Sequence, residues 1–242
     1  MTPTQQSSSA KDALRTFLQK YLDHLGKRPS NLRRSSSASD WQIEARQSLR
    51  FAEEELDKGT PQSVINAVSH LKRAADWQLE KFVEYYNLRP QKGSLSVPRK
   101  LQFLEDAGLF SARSLRRLNE IRNRLEHDFE HPQLPDLAIY YDLVQAFVSV
   151  IEYVTLIVPV AAESSSVIWE GVPGGSDQIG AFRFTYAPEI PVFTGEWQAP
   201  DMKASYRITP DRYEDFVYFF RVYALLHRRY YDLAGDYIKA ML

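Results

Sequence analysis

The 242-residue chain contains no cysteine, and that absence removes two classes of chemistry together. No disulfide can staple the fold, and no thiolate can ligate zinc; the composition fits a reducing compartment. A charge excess is missing as well. Thirty Lys and Arg stand against 31 Asp and Glu for a formal net charge of −1, so any attraction for a polyanion must come from local basic patches rather than from the whole-molecule field. Met1 to Ala10 is polar and serine-rich with no apolar run, so no secretory signal is expected and the chain reads as cytoplasmic. A phosphate-binding loop is lacking: Val172-Pro173-Gly174-Gly175-Ser176 has no lysine and no following helix, and reads as a turn. The serine runs have no histidine and carboxylate at a spacing that defines a nucleophilic triad.

What is present is helical periodicity over most of the length. Residues 1–39 read as a short helix, Lys11 to Leu25, followed by a basic serine-rich linker containing Arg28, Arg33 and Arg34. Residues 40–160 read as a helical bundle. Asp40 caps a helix to about Lys58, and Gly59-Thr60-Pro61 stops it and starts a longer one to about Leu88 along the stripe Val64, Val68, Leu71, Ala75, Leu79, Phe82 and Tyr86. A shorter helix spans Pro98 to about Ala107, another spans Ser111 to about Glu130, and a last one spans Asp136 to about Val158. This last is apolar nearly all round. Such a helix is either central in a bundle or membrane-spanning, and Asp142, Glu152 and the lack of flanking cations favour the bundle, with no membrane partner. Residues 161–210 hold β-branched and aromatic runs broken by Gly and Pro, three or four strands of a small antiparallel sheet. Residues 211–242 return to helix, expected to pack on the bundle. The fold class expected is mainly α, an antiparallel helical bundle with a small β appendage and a C-terminal helix.

The segment Ile121-Arg122-Asn123-Arg124-Leu125-Glu126-His127 carries the most chemistry. Leu115, Leu118, Ile121, Leu125 and Phe129 form one buried stripe, with Ser111 as N-cap and Pro132 ending the helix near Glu130. Asn119, Arg122, Asn123, Glu126, His127 and Glu130 recur at intervals of three and four beside it. Arg122 and His127, five apart, project about 140° from each other, so one helix alone does not pair them. Two copies of the face, brought together, would form a cleft in which an arginine neutralises a phosphate and a histidine moves a proton near neutral pH.

The spelling Arg, Asn, three residues, His resembles the motif of the HEPN superfamily, helical domains that include many RNA-cleaving toxins and phage-defence effectors. The resemblance covers about residues 40 to 160. It implies a metal-independent endoribonuclease, homodimeric across the motif helix, in which the ribose 2′-hydroxyl attacks the adjacent phosphorus and leaves a 2′,3′-cyclic phosphate and a 5′-hydroxyl. Carried onto this chain it assigns Arg122 to anion stabilisation, His127 to proton transfer and Asn123 to orienting them. Asn119, Glu126, Arg99 and Lys100 are the candidate substrate contacts, the last two within a basic stretch that also holds Arg89 and Lys92. No cofactor is expected. His127 and His131 could seed a two-histidine metal site on an intact helix, but Pro132 breaks the helix there and no third ligand is evident, so no metal is expected either. Where some HEPN toxins carry a tyrosine that a partner enzyme modifies, Phe129 stands here; control would fall to a different antitoxin or regulatory protein. Two rival readings stay open: a non-catalytic HEPN-like helical interaction or RNA-binding module with the β segment as its recognition surface, and a purely structural scaffold.

Overall fold

The computed structural model describes residues 9–25, 42–88, 96–111, 134–157, 165–169, 181–187, 190–229 and 234–242, together with Arg113, Arg116, Arg117, Glu120 and Arg124. The described residues form helices α1 (Ala10–Tyr21), α2 (Gln42–Lys58), α3 (Pro61–Tyr85), α4 (Val97–Asp106), α5 (Leu134–Ile157), α6 (Tyr213–Arg229) and α7 (Gly235–Met241), and strands β1 (Ser165–Trp169), β2 (Ala181–Ala187), β3 (Val192–Ala199) and β4 (Met202–Ile208). The protein is mainly helical with one small antiparallel sheet of order β1-β2-β3-β4. Two compact units divide the chain: residues 36–157 form one, and residues 1–35 with 158–242 form the other.

In the helical unit, local signals place the boundaries. Gly59 adopts φ 63°, a left-handed conformation that costs glycine little, and Thr60 and Ser63 exchange side-chain and backbone hydrogen bonds as a capping box with Pro61 at the first helical position. At its other end α3 stops three residues short of the expected Leu88. Asn87 takes φ 46°, Asn87 N–H donates to Glu84 C=O at 3.0 Å and Leu88 N–H to Val83 C=O at 2.8 Å, which closes a Schellman turn on the last free carbonyls. Ala45, Leu49 and Ala52 of α2 meet Leu71 and Ala74 of α3 and Tyr140, Val144 and Val148 of α5 in one buried cluster. The alanines let the backbones approach, and each large aliphatic side chain buried contributes about 1.5–3 kcal/mol.

By length and composition α5 is apolar enough to cross a membrane, with mean hydropathy 1.4 over Leu137–Thr155. It nevertheless carries Glu152, which is buried at 8% exposure. Arg46 of α2 answers that charge: its Nε donates to both Glu152 oxygens at 3.0 Å, and its Nη2 also donates to Ser149 Oγ at 3.1 Å. Tyr86 of α3 adds a buried hydroxyl that donates to Val154 C=O at 2.9 Å.

The second unit corrects the expected organisation. The C-terminal helix, expected on the bundle, buries its aromatic residues against the sheet, and the N-terminal helix joins them. Strand alternation puts Phe182, Phe184, Tyr186, Phe193 and Trp197 on one buried face, a surface too apolar to stand without a helical cover. From α6, Phe219 lies 5.3 Å from Phe184 and Phe216 5.2 Å from Phe193; from α1, Phe17 stacks on Phe182 at 5.3 Å with planes 7° apart. Gly195 lies where a Cβ would come within 3.2 Å of Phe219 and Trp197, so the missing side chain lets α6 rest on β3. Asp215 accepts from Lys11 N–H at 2.9 Å, the terminal Leu242 carbonyl accepts from Arg15 Nε at 2.9 Å, and Asp201 in the β3–β4 turn is gripped by Lys20 and the Tyr21 hydroxyl. The β segment is therefore the centre of its own unit, not an appendage. The terminal helical stretch is two helices.

Removing Arg46 would strand a buried carboxylate. Arg46→Met should lower the free energy of unfolding in urea by about 1–3 kcal/mol, and adding Glu152→Leu should recover most of the loss. Unchanged stability in Arg46→Met would show that the pair does not hold α2 on α5.

Candidate functional site

The candidate site belongs to the helical unit, and the chain reaches it through a well-defined turn. Gly108 takes φ 67° after α4; Gly108 N–H donates to Glu105 C=O at 2.8 Å and Leu109 N–H to Leu104 C=O at 3.0 Å, a second Schellman closure. Phe110 then sets its ring edge-on to Phe147 of α5, 5.6 Å between centroids and 83° between planes. That contact anchors the entry of the motif-bearing segment to the central helix. Ser111 is non-helical, while Arg113, Arg116, Arg117, Glu120 and Arg124 are helical, which agrees with a helix starting at about Ser111.

The catalytic candidates Arg122, Asn123 and His127 lie outside the described residues, as do Asn119 and Glu126. Arg89 and Lys92 lie outside them too. Of the remaining candidates, Arg99 is exposed on α4. Lys100 is not: its side chain is 3% exposed and ion-paired to Glu80 of α3. A desolvated ammonium already satisfied by a carboxylate is poorly placed to take a substrate phosphate, so Lys100 leaves the expected contact set and acts as a tie between α3 and α4. Phe82 and Phe103, 6.2 Å apart, pack across the same pair of helices.

A feature that the sequence reading passed over is the run of arginines itself. At 100° per residue, Arg113, Arg116, Arg117, Glu120 and Arg124 fall within an arc of about 100°. The first four of these are exposed and Arg124 is half-buried. Arg117 Nη1 lies 4.0 Å from Glu120 Oε2, with both side chains well exposed, which is a weak pair in high dielectric. The spacing of three, four and seven residues is legible in the sequence. Chemically the face offers guanidinium groups that can bind anionic oxygens in bidentate geometry. Among the described residues, no group of three or more His, Asp or Glu is placed to hold a metal ion.

No family model, no curated protein and no solved structure matches this chain.

The Lys100 pair yields a stability test with a functional control. Glu80→Gln leaves the ammonium buried beside a neutral amide and should cost about 1–3 kcal/mol in urea unfolding, more than Lys100→Met, which removes the charge and keeps the volume. If the chain binds RNA as the motif resemblance implies, neither change should alter that affinity by more than about twofold, since a paired, buried ammonium contributes no phosphate contact. A large loss of RNA binding in Lys100→Met at intact stability would return Lys100 to the substrate contacts.

Proposed function

We propose that this chain is a HEPN-type endoribonuclease of the cytoplasm that cleaves RNA without a metal, acting as a toxin or phage-defence effector and as a homodimer across the motif helix. The observation that carries the reading is the sequence Arg122-Asn123, three residues, His127, within a helical unit whose segment from Arg113 to Arg124 is helical at every described position and bears arginines on its exposed face. The packing of α2, α3 and α5 into one bundle supports it, as does the Phe110–Phe147 contact that ties the start of the segment to α5.

In this reading RNA supplies its own nucleophile. The 2′-oxygen bonds to phosphorus as the bond to the 5′-oxygen breaks; a base takes the 2′-hydroxyl proton, an acid returns a proton to the leaving 5′-oxygen, and the products are a cyclic phosphate and a free hydroxyl. His127 serves one of the proton transfers. Arg122 stabilises the charge that builds on the non-bridging oxygens, and Asn123 holds the two in register. Such a reaction needs position, neutralisation and proton movement, which two helices can supply without a deep pocket.

A second reading, binding without cleavage, draws on the outer face of the sheet. There Arg183 and Glu196 stand opposite each other across β2 and β3 with 3.6 Å between charged atoms, and Lys203, Ser205 and Arg207 on β4 are exposed. That face is polar and mixed in sign, the character of a recognition surface rather than of a phosphate track.

Incubation of the purified chain with a broad RNA panel in EDTA should give fragments ending in 2′,3′-cyclic phosphate. His127→Ala and Arg122→Ala should each slow cleavage by about 10²-fold or more while the circular dichroism spectrum stays unchanged. RNA left intact across the panel, or cleavage that survives both substitutions, would overturn the assignment.

A further inference from the structure

Ser111 to Arg124 holds five arginines and one acidic residue in a chain whose formal net charge is −1. Positive charge is thus concentrated where the rest of the molecule balances it. Four of the five, Arg113, Arg116, Arg117 and Arg124, are on one narrow stripe of a helical segment, and among the described residues only Arg117 has an ion-pair partner, the loose contact to Glu120 at 4.0 Å. A face kept only for solubility is usually laced with carboxylates three or four residues from its cations, as α2 shows with Arg50 and Glu54, 3.9 Å apart, and Lys58 and Glu55, 2.5 Å apart. On the arginine stripe a single carboxylate, Glu120, stands at that spacing from three cations, Arg116, Arg117 and Arg124, so positive charge stays in excess. The stripe also contains no lysine, and the planar guanidinium fork matches phosphate oxygens where an ammonium offers only a point charge.

The dimensions suit a strand of nucleic acid. Eleven helical steps, the separation of residues 113 and 124, correspond to a rise of about 16 Å at 1.5 Å per residue. A path of that length spans several consecutive phosphates of a single strand.

We propose that Arg113, Arg116, Arg117 and Arg124 form a phosphate-binding track that takes the sugar–phosphate backbone of an RNA strand and holds it along the segment bearing the ribonuclease motif. The proposal rests on the ribonuclease reading for its substrate, but its residues are separate from Arg122, Asn123 and His127. Sequence preference does not come from this track, since contacts to phosphate carry register and affinity rather than base identity.

The test uses the full chain and a fluorescent 15-nucleotide RNA, fully 2′-O-methylated so that it cannot be cut, with binding followed by anisotropy across a sodium chloride series in EDTA. The triple variant Arg113→Gln, Arg116→Gln, Arg117→Gln should bind at least tenfold more weakly at low salt. It should also lessen the slope of log affinity against log salt by about two, as expected for three lost contacts to a single strand. The matching triple Arg→Lys variant should keep the slope. An unchanged slope in the glutamine variant overturns the proposal, and so does polyglutamate displacing the RNA as well as unlabelled RNA does at equal charge, which would identify an acidic protein as the occupant. The two readings fail separately. Binding through the stripe with no cleavage of natural RNA removes the nuclease and leaves the track, whereas cleavage with KM unchanged in the glutamine variant removes the track and leaves the nuclease.

Discussion

Helix α5 is apolar on nearly every side, and the helical unit is the answer to that constraint. On α5 the face of Leu137, Tyr140, Val144, Phe147, Val148 and Ile151 is buried, while Ala138, Asp142, Gln145 and Ala146 stay exposed. Small residues on α2 and α3 allow the close approach that Tyr140, Val144 and Val148 need, and Arg46 reaches in from α2 to hold the buried carboxylate of Glu152. The same helix receives Phe110 against Phe147, so the candidate catalytic segment begins from a point fixed on the core. A site that must align proton transfer with a phosphate needs such a fixed origin, because its rate depends on sub-ångström placement.

The other unit follows a different rule, and its chain path explains why. Residues 36–157 are set between α1 and the sheet, so the helical unit is inserted into the chain of the sheet unit. Phe17 and Phe182 stack although 165 positions separate them in sequence, and Arg15 reaches the last carbonyl of the chain. Insertions of this kind are tolerated where the two ends of the interrupted unit lie close together and each part has its own core. Here the aromatic layer supplies that core: Phe184, Tyr186 and Phe193 beneath Phe216, Phe219 and Tyr223.

Local chemistry was legible in the sequence wherever a boundary depends on neighbours a few residues apart. Gly59-Thr60-Pro61 and the strand runs read correctly, and so does most of the stripe of α3, where Ala67 and Ala74 are buried in place of Val68 and Ala75; capping, turn conformation and periodicity are properties of short segments. Asn87 ended α3 early because asparagine in the left-handed region closes a helix nearly as well as glycine, a weaker signal than the Pro and Gly that follow it. Partner choice was not legible. The amphipathic pattern of α1 or α6 says that a face will be buried, not whether a bundle or a sheet will bury it, and nothing near Lys100 in sequence announces Glu80 twenty residues earlier. Ionic partners across helices are tertiary facts.

The formal net charge of −1 hides an uneven distribution, because Arg113, Arg116, Arg117, Arg122 and Arg124 fall within twelve positions that hold one acidic residue. Screening in physiological salt acts over about 8 Å, so a strand of RNA senses the few charges nearest it and not the molecular total. Arg113, Arg116 and Arg117 are exposed, with Glu120 the one carboxylate described beside them, while acidic groups elsewhere are paired: Glu152 with Arg46, Glu80 with Lys100, Asp201 with Lys20. An excess of cations over anions on one helical face, beside anions paired elsewhere, gives a local field that the sum over the chain conceals.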